Sequence, residues 1–348
     1  NKSKYFSHIW LPSVDIKNTY SIIKTIEWRT FMRAKLLGIV LTTPIAISSF
    51  ASTETLSFTP DNINADISLG TLSGKTKERV YLAEEGGRKV SQLDWKFNNA
   101  AIIKGAINWD LMPQISIGAA GWTTLGSRGG NMVDQDWMDS SNPGTWTDES
   151  RHPDTQLNYA NEFDLNIKGW LLNEPNYRLG LMAGYQESRY SFTARGGSYI
   201  YSSEEGFRDD IGSFPNGERA IGYKQRFKMP YIGLTGSYRY EDFELGGTFK
   251  YSGWVEASDN DEHYDPGKRI TYRSKVKDQN YYSVAVNAGY YVTPNAKVYV
   301  EGAWNRVTNK KGNTSLYDHN DNTSDYSKNG AGIENYNFIT TAGLKYTF

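Results

Sequence analysis

The chain has no cysteine. A disulfide frame, a thiol nucleophile and a thiolate zinc site are therefore all excluded. Beyond residue 51 no apolar run is long enough to cross a bilayer as a helix, which takes about 20 residues. Histidine is scarce, with four in 348 residues. Neither sign of charge dominates the whole chain, since 38 Lys and Arg face 39 Asp and Glu. Nucleic acid is not an expected partner, because it would call for a cationic surplus.

Aromatic residues are plentiful: 25 Tyr, 14 Phe and 10 Trp. Many tyrosines in a polar chain suit a sheet with one greasy and one wet face. That describes a soluble β-sandwich or a membrane β-barrel. The front of the chain favours the barrel. Met32-Arg33-Ala34-Lys35 is a short basic start, and Leu36 to Ile47 is mostly apolar but too short to span. Ser49-Phe50-Ala51 puts small residues at the −3 and −1 positions of a cleavage site. Residues 32–51 therefore read as a secretory signal peptide, and 1–31 as an upstream extension. Residues 1–51 hold seven Lys or Arg and two Asp or Glu, leaving 31 basic against 37 acidic residues and a net charge of −6 over 52–348.

Leu157, Tyr159, Phe163, Leu165, Ile167 and Leu171 are apolar at odd positions, with Asn158, Glu162, Asp164, Asn166 and Lys168 between them. This period of two, with a polar second face, fits a strand between lipid and a wet lumen. Similar rows run through Leu93-Trp95-Phe97, Tyr177-Leu179-Leu181, Phe243-Leu245-Phe249, Tyr282-Val284-Val286 and Val298-Val300-Trp304, and the chain closes on Leu344-Tyr346-Phe348. Connections alternate in length. Met112-Pro113-Gln114, Asn173-Glu174-Pro175-Asn176, Tyr240-Glu241-Asp242 and Thr293-Pro294-Asn295 read as tight turns. Long polar segments at about 80–90, 126–155, 193–220, 256–271 and 308–334 read as loops. Four turns and five loops give an all-β fold, a ten-stranded antiparallel transmembrane barrel over 52–348. Ten strands leave too little room for a wide pore, since porins use about 16–18. Function is expected in the loops and at the rim.

Two constellations could do chemistry. In Asp259-Asn260-Asp261-Glu262-His263, an extended chain points residues 259, 261 and 263 to one side. A carboxylate beside an imidazole fixes its tautomer and supports its cation. Asp134 and Asp136 repeat the two-residue spacing. Neighbouring carboxylates raise one another's pKa, so one of them can hold a proton. Facing each other, the two pairs could activate water to cut a peptide. The plain alternative is a pair of solvated acidic loops. His152 and His319 read as loop residues in solvated surroundings. Ser150 lies near His152, but no G-x-S-x-G elbow surrounds it. Asp259-x-Asp261-x-His263 begins like a calcium loop, yet Tyr264 stands where Gly is needed and Ile270 where Glu is needed. H-E-x-x-H is absent.

From Ser52 to Phe348 the sequence resembles the omptin family of outer-membrane endopeptidases. The resemblance rests on Asn131-Met132-Val133-Asp134-Gln135-Asp136-Trp137 and on Ser258-Asp259-Asn260-Asp261-Glu262-His263. It implies catalysis by Asp134, Asp136, Asp261 and His263, and cleavage between consecutive basic residues. A basic side chain at P1 needs an anion, as in trypsin-type pockets. Asp259 can supply one, and the resemblance adds Glu78. It also implies a neighbouring basic-side-chain pocket at Asp148, and an S1′ wall of Met132 and Ile221. The chain carries its own dibasic bait, Lys268-Arg269, in a segment that reads as a loop after Pro266-Gly267. Self-nicking is expected there.

The outward rows turn charged near their outer ends. Tyr185 gives way to Glu187 and Arg189, and Lys224, Arg226 and Lys228 share the parity of Ile232 and Leu234. Outward cations at that height would sit among lipopolysaccharide phosphates. The resemblance implies a lipopolysaccharide-binding set of Tyr185, Glu187, Arg189, Arg226 and Lys277, and activity that depends on the lipid. The expected mechanism is direct attack by water with His263 as base. No cofactor is expected beyond the activating lipid, and no metal. Activity should fall in acid, because an imidazole titrates near about 6.5. The rival is a non-enzymatic adhesin or narrow channel whose acidic loops bind cationic partners.

Overall fold

Rows of alternating polarity form strands because successive side chains of an extended chain point to opposite faces. The computed structural model of the chain describes residues 62–126, 130–265 and 268–348, without the side chains at 265 and 268. The leader expected at 32–51 and the stretch before it lie outside the described residues. Twelve strands are described: β1 (Ile63–Leu82), β2 (Arg88–Met112), β3 (Ile115–Gly126), β4 (Gly130–Asp136), β5 (Asp148–Glu174), β6 (Tyr177–Tyr201), β7 (Asp210–Tyr240), β8 (Phe243–Asp265), β9 (Lys268–Thr293), β10 (Ala296–Val307), β11 (Lys311–Asp318) and β12 (Thr323–Thr347). β3 and β4 both lie between β2 and β5, while β10 and β11 both lie between β9 and β12. The twelve strands thus fill ten positions. β1 pairs with both β12 and β2, which closes the ring. Closure leaves no unpaired sheet edge for lipid to meet.

The four tight turns fall where composition puts them, at 113–114, 175–176, 241–242 and 294–295. The apolar rows face outward: Leu165, Ile167, Leu179, Leu181, Ile232, Leu234, Val298 and Val300 are all exposed. The long segments differ from expectation. Most of 148–155, 193–201, 210–220 and 256–271 is strand, not loop. β7 alone runs for 31 residues, whereas a membrane crossing needs about 9–11. Hydrophobic alternation fades where the outer face leaves lipid, but backbone pairing does not require it. The sheet therefore continues past the point where its pattern is legible.

Inward residues change character along each strand. On β2 they run from Lys104 through Ile102, Ala100, Phe97, Trp95 and Leu93 to Ser91. The end near the tight turns is charged and holds a cavity of about 520 Å³ lined by Asp66, Lys104, Asp164, Lys168 and Lys250 among others. Ion pairs cross it, including Lys250–Asp164 at 2.6 Å and Lys104–Glu301. Above it lies an apolar layer of Leu72, Trp95, Phe97, Ile102, Tyr190, Phe192, Tyr223 and Phe227. Trp95 stacks on Tyr223 with ring centroids 5.3 Å apart. The layer is packed as densely as a soluble core, since each of these side chains is at most 1% exposed. A continuous aqueous path is blocked there. In planar bilayers the protein should therefore show no ohmic conductance steps. Steady single-channel currents from the unmodified protein would contradict the packing.

Candidate active site

Above the apolar layer the inward rows turn acidic. On β8 the row passes from Val255 and Ala257 to Asp259, Asp261 and His263. Residues 260 and 262 take the other face, where Asn260 donates to Glu262 at 3.1 Å. His263 Nε2 and Asp261 Oδ2 are 2.8 Å apart. A carboxylate only accepts, so Nε2 carries the hydrogen and the neutral ring keeps its basic lone pair on Nδ1. The ring also meets Tyr272 edge to face, with centroids 5.6 Å apart.

The other pair stands on β4 and not in a loop. Asp134 lies across from Leu93 and Ser150, and Asp136 across from Ser91 and Asp148. Ser91 donates to Asp134 Oδ1 at 3.3 Å. The two pairs meet electrostatically. Burial raises the Asp134 carboxyl to about 7, His263 pulls it down, and Asp261 pushes it up. Burial also holds Asp136 well above the usual carboxylate range, with Asp134 adding to the rise. All four expected catalytic residues thus share one neighbourhood.

The expected substrate acids join them. Glu78 on β1 is buried, and its carboxyl is pushed well up by burial and by Asp261, Asp259 and Asp134. Asp259 is raised by burial to about 7 even though it accepts bonds from the Ser274 amide at 2.9 Å and the Tyr223 hydroxyl at 3.2 Å. Asp148 is buried and its charge reaches both Asp134 and Asp136. Met132 lies two residues from Asp134 on the same row, and Ile221 is the cross-strand partner of His263. Both are buried, Met132 level with Trp95 beneath the acids and Ile221 level with His263, so they wall one side of the cluster from floor to rim.

Other expectations need correcting. His152 is 1% exposed within β5, not a solvated loop residue. Its Nδ1 lies 2.5 Å from the Gly196 carbonyl, so that nitrogen donates, and Nε2 accepts from Ser150 Oγ at 3.0 Å. This resembles a nucleophile and its base. Yet burial drops His152 to about 4, so it would not hold a proton taken from Ser150 at neutral pH. No carboxylate orients the ring, which packs against Phe214. The pair reads as structural. Lys268 and Arg269 open β9, paired with Asp265 and Tyr264, and do not lie in a loop.

The outward set also assembles. Glu187 Oε1 meets Arg189 at 2.6 Å, and Oε2 meets Arg226 at 2.7 Å. The Tyr185 hydroxyl donates to Glu187 at 3.4 Å. Lys277 stands exposed on β9, two ring positions from Arg226.

Sequence reasoning missed Ser91 and Tyr272. Ser91 ends the inward row Phe97-Trp95-Leu93, and that polar break was a readable signal. Tyr272 is one of 25 tyrosines, and nothing in its flanks marks it. Its hydroxyl is buried with no hydrogen-bond partner among the described residues, although it sits in the field of Asp261, Glu78, Asp136 and Asp134. Burial, and after it that field, holds the phenol protonated.

The omptin family model matches residues 59–348. The chain is 99% identical over 317 residues to Protease 7 of Escherichia coli strain K12, a match covering 91% of this chain and all of that one. It is 57% identical over 317 residues to the outer membrane protease IcsP of Shigella flexneri, with the same coverage. The crystal structure of outer membrane protease OmpT from Escherichia coli superposes with a TM-score of 0.83 at 98% identity, covering 85% of this chain and all of that one. A ring of ten strands, a lipid-facing apolar band and these matches lead to one assignment: the chain belongs to the omptin family and is an outer-membrane β-barrel protease.

Proposed function

We propose that the protein cuts peptides between paired basic residues by direct attack of water, at a cleft on the extracellular end of the barrel. The observation that carries this is the meeting of the two pairs, since the Asp134 carboxyl lies in the joint field of His263 and Asp261. In this reading His263 takes the proton of water as its oxygen bonds to the scissile carbonyl carbon. Asp261 holds the ring and steadies the imidazolium. Asp134 and Asp136 bind the attacking water. The proton held on His263 then passes to the amine as the C–N bond breaks. No covalent acyl-enzyme forms.

The oxyanion needs a donor; a carboxyl can serve only while it holds a proton, whereas a phenol carries one throughout. The Tyr272 hydroxyl fills that role. It is buried, protonated and surrounded by the reacting groups. Basic side chains of the substrate enter among Glu78, Asp259 and Asp148. A cation there relieves the mutual repulsion of the acids, so the cluster selects Lys and Arg physically. Lipopolysaccharide activates the enzyme by engaging Arg189, Arg226 and Lys277 on the outer wall, which adjusts the strands that carry the cleft. An adhesin would explain the acidic surface, but it would not require the His263–Asp261 bond beside Asp134.

His263→Ala should lower kcat by about 10²–10⁴-fold, the usual worth of a general base, while a dibasic peptide still binds. Cleavage of a quenched Arg-Arg peptide by that variant at the unmodified rate would exclude the mechanism. Tyr272→Phe should cost about 10²-fold in kcat with KM unchanged, as loss of one oxyanion donor does. An unaltered kcat would remove Tyr272 from the reaction. Raising pH from 6 to 8 should lower KM for dibasic peptides, because Asp259 ionises through about 7. The same rise should destabilise the fold. The Asp134 carboxyl titrates higher when folded than when unfolded, so stability present below about 4 is lost towards 7. Asp134→Asn should therefore gain thermal stability over the parent at pH 8 and not at pH 4. A Lys268→Gly protein should escape self-nicking at the 268–269 bond, as read by mass spectrometry of the purified chain.

A further inference from the structure

The outer wall carries a second carboxylate held between two guanidinium groups. Glu334 on β12 meets Arg79 of β1 at 2.7 Å and Arg306 of β10 at 3.4 Å. The arrangement repeats that of Glu187 between Arg189 and Arg226. β12 and β6 lie five positions apart in the ring of ten, so the two clusters sit on opposite sides of the barrel. All three members of the second cluster face outward. Glu334 shares the parity of the exposed Phe338 and Leu344, and Arg306 that of the exposed Val300 and Trp304. Arg79 shares the parity of the exposed Ile67 and Leu69.

The heights agree as well. Glu187 stands ten residues up β6 from Tyr177, and Arg306 ten residues up β10 from Ala296. Arg306 is the next outward residue after Trp304, which is where an apolar band gives way to headgroups. The cluster has spare donors. The Arg306 side chain is 47% exposed and its guanidinium meets Glu334 at 3.4 Å, while Arg79 Nη1, buried behind it, has no hydrogen-bond partner among the described residues. Lys75 and Lys77 continue the same outward row of β1, with Asp94 paired to Lys75 at 2.8 Å. Four cations thus face two carboxylates at the lipid border. Fixed guanidinium pairs at such a border match the tetrahedral oxygens of a phosphate.

We propose that Arg79 and Arg306, bridged by Glu334, form a second seat for the phosphate of an outer-leaflet glycolipid, on the wall opposite the Glu187 cluster. Glu334 holds the two guanidinium groups at a fixed spacing and offsets one of their charges. The remaining charge and the exposed N–H groups of Arg306 receive the phosphate, with the Arg79 guanidinium held behind them by Glu334 and Gln92, while the acyl chains lie along Trp304, Phe338 and Val300. The seat does not depend on the assignment of the Glu187 cluster, because no residue is shared.

The test is lipid A binding to the full protein in neutral detergent, counted by native mass spectrometry. The parent should take up two equivalents. Arg306→Ala keeps the Arg79–Glu334 pair, so it should fold, and it should weaken one of the two about tenfold, as loss of a charge-assisted bond does. Arg79→Ala/Arg306→Ala should bind one equivalent, which Arg226→Ala then removes. If Arg226→Ala alone removes nothing while the double variant still loses one, the second seat stands and the first cluster's role fails. Unchanged uptake by the double variant would overturn the proposal. So would equal uptake of dephosphorylated lipid A, which would mean that phosphate is not read. Displacement of the lipid by millimolar inorganic phosphate would make this a free-phosphate site and overturn the lipid assignment.

Discussion

Carboxylates forced together away from water are the constraint on which the rest of the structure turns. Glu78, Asp134, Asp136, Asp148, Asp259 and Asp261 come from four different strands and share one inward-facing patch. Two charges 4 Å apart repel by about 4 kcal/mol at an effective dielectric of 20. A loose set of loops would relieve that repulsion by moving apart. Here each acid is fixed on a strand bonded to both neighbours in a closed ring, so relief comes from protons or from a cation that enters. The stacked aromatic layer below gives the cluster a dry floor, and burial is the largest contributor to each raised carboxyl.

A formal net charge of −1 conceals how sharply charge is sorted by face. On β7, Lys224 and Arg226 point out, while Tyr223, Gln225 and Phe227, which alternate with them, point in. On β1, Lys77 and Arg79 point out on either side of the buried Glu78. The same short segments therefore offer cations to the membrane border and acids to the cleft. Period-two geometry makes this possible without the two sets neutralising each other.

The barrel was legible because lipid imposes a pattern on one face of every strand. The rows at Leu157–Leu171 and Tyr177–Tyr185 could be read residue by residue. The shared face within each pair was also legible, since the spacing in Asp261-x-His263 and Asp134-x-Asp136 follows directly from extended backbone. What escaped was everything beyond lipid. The outer parts of β5 to β8 look like loops because water bathes their outer face and polar groups line their inner one. His152 was misjudged for that reason, its neighbours being polar although its ring is buried. Tyr272 was invisible because acids that surround it come from β1 and β4, which only the closed ring brings near.

The closed ring has a further consequence for a molecule that cuts polypeptides while crowded among its own kind. A peptidase takes its target as an unpaired extended segment. Among the described residues the extended segments are abundant, and through the membrane band each already has both edges engaged by neighbouring strands, whereas the outer ends of β7 and β12 have one. The wall offers an adjacent copy almost nothing to grip. Vulnerability contracts to the hairpin ends, and the dibasic step at Lys268–Arg269 lies beside one of them. The architecture that holds the cutting groups in place thus also makes the molecule a poor meal for its siblings.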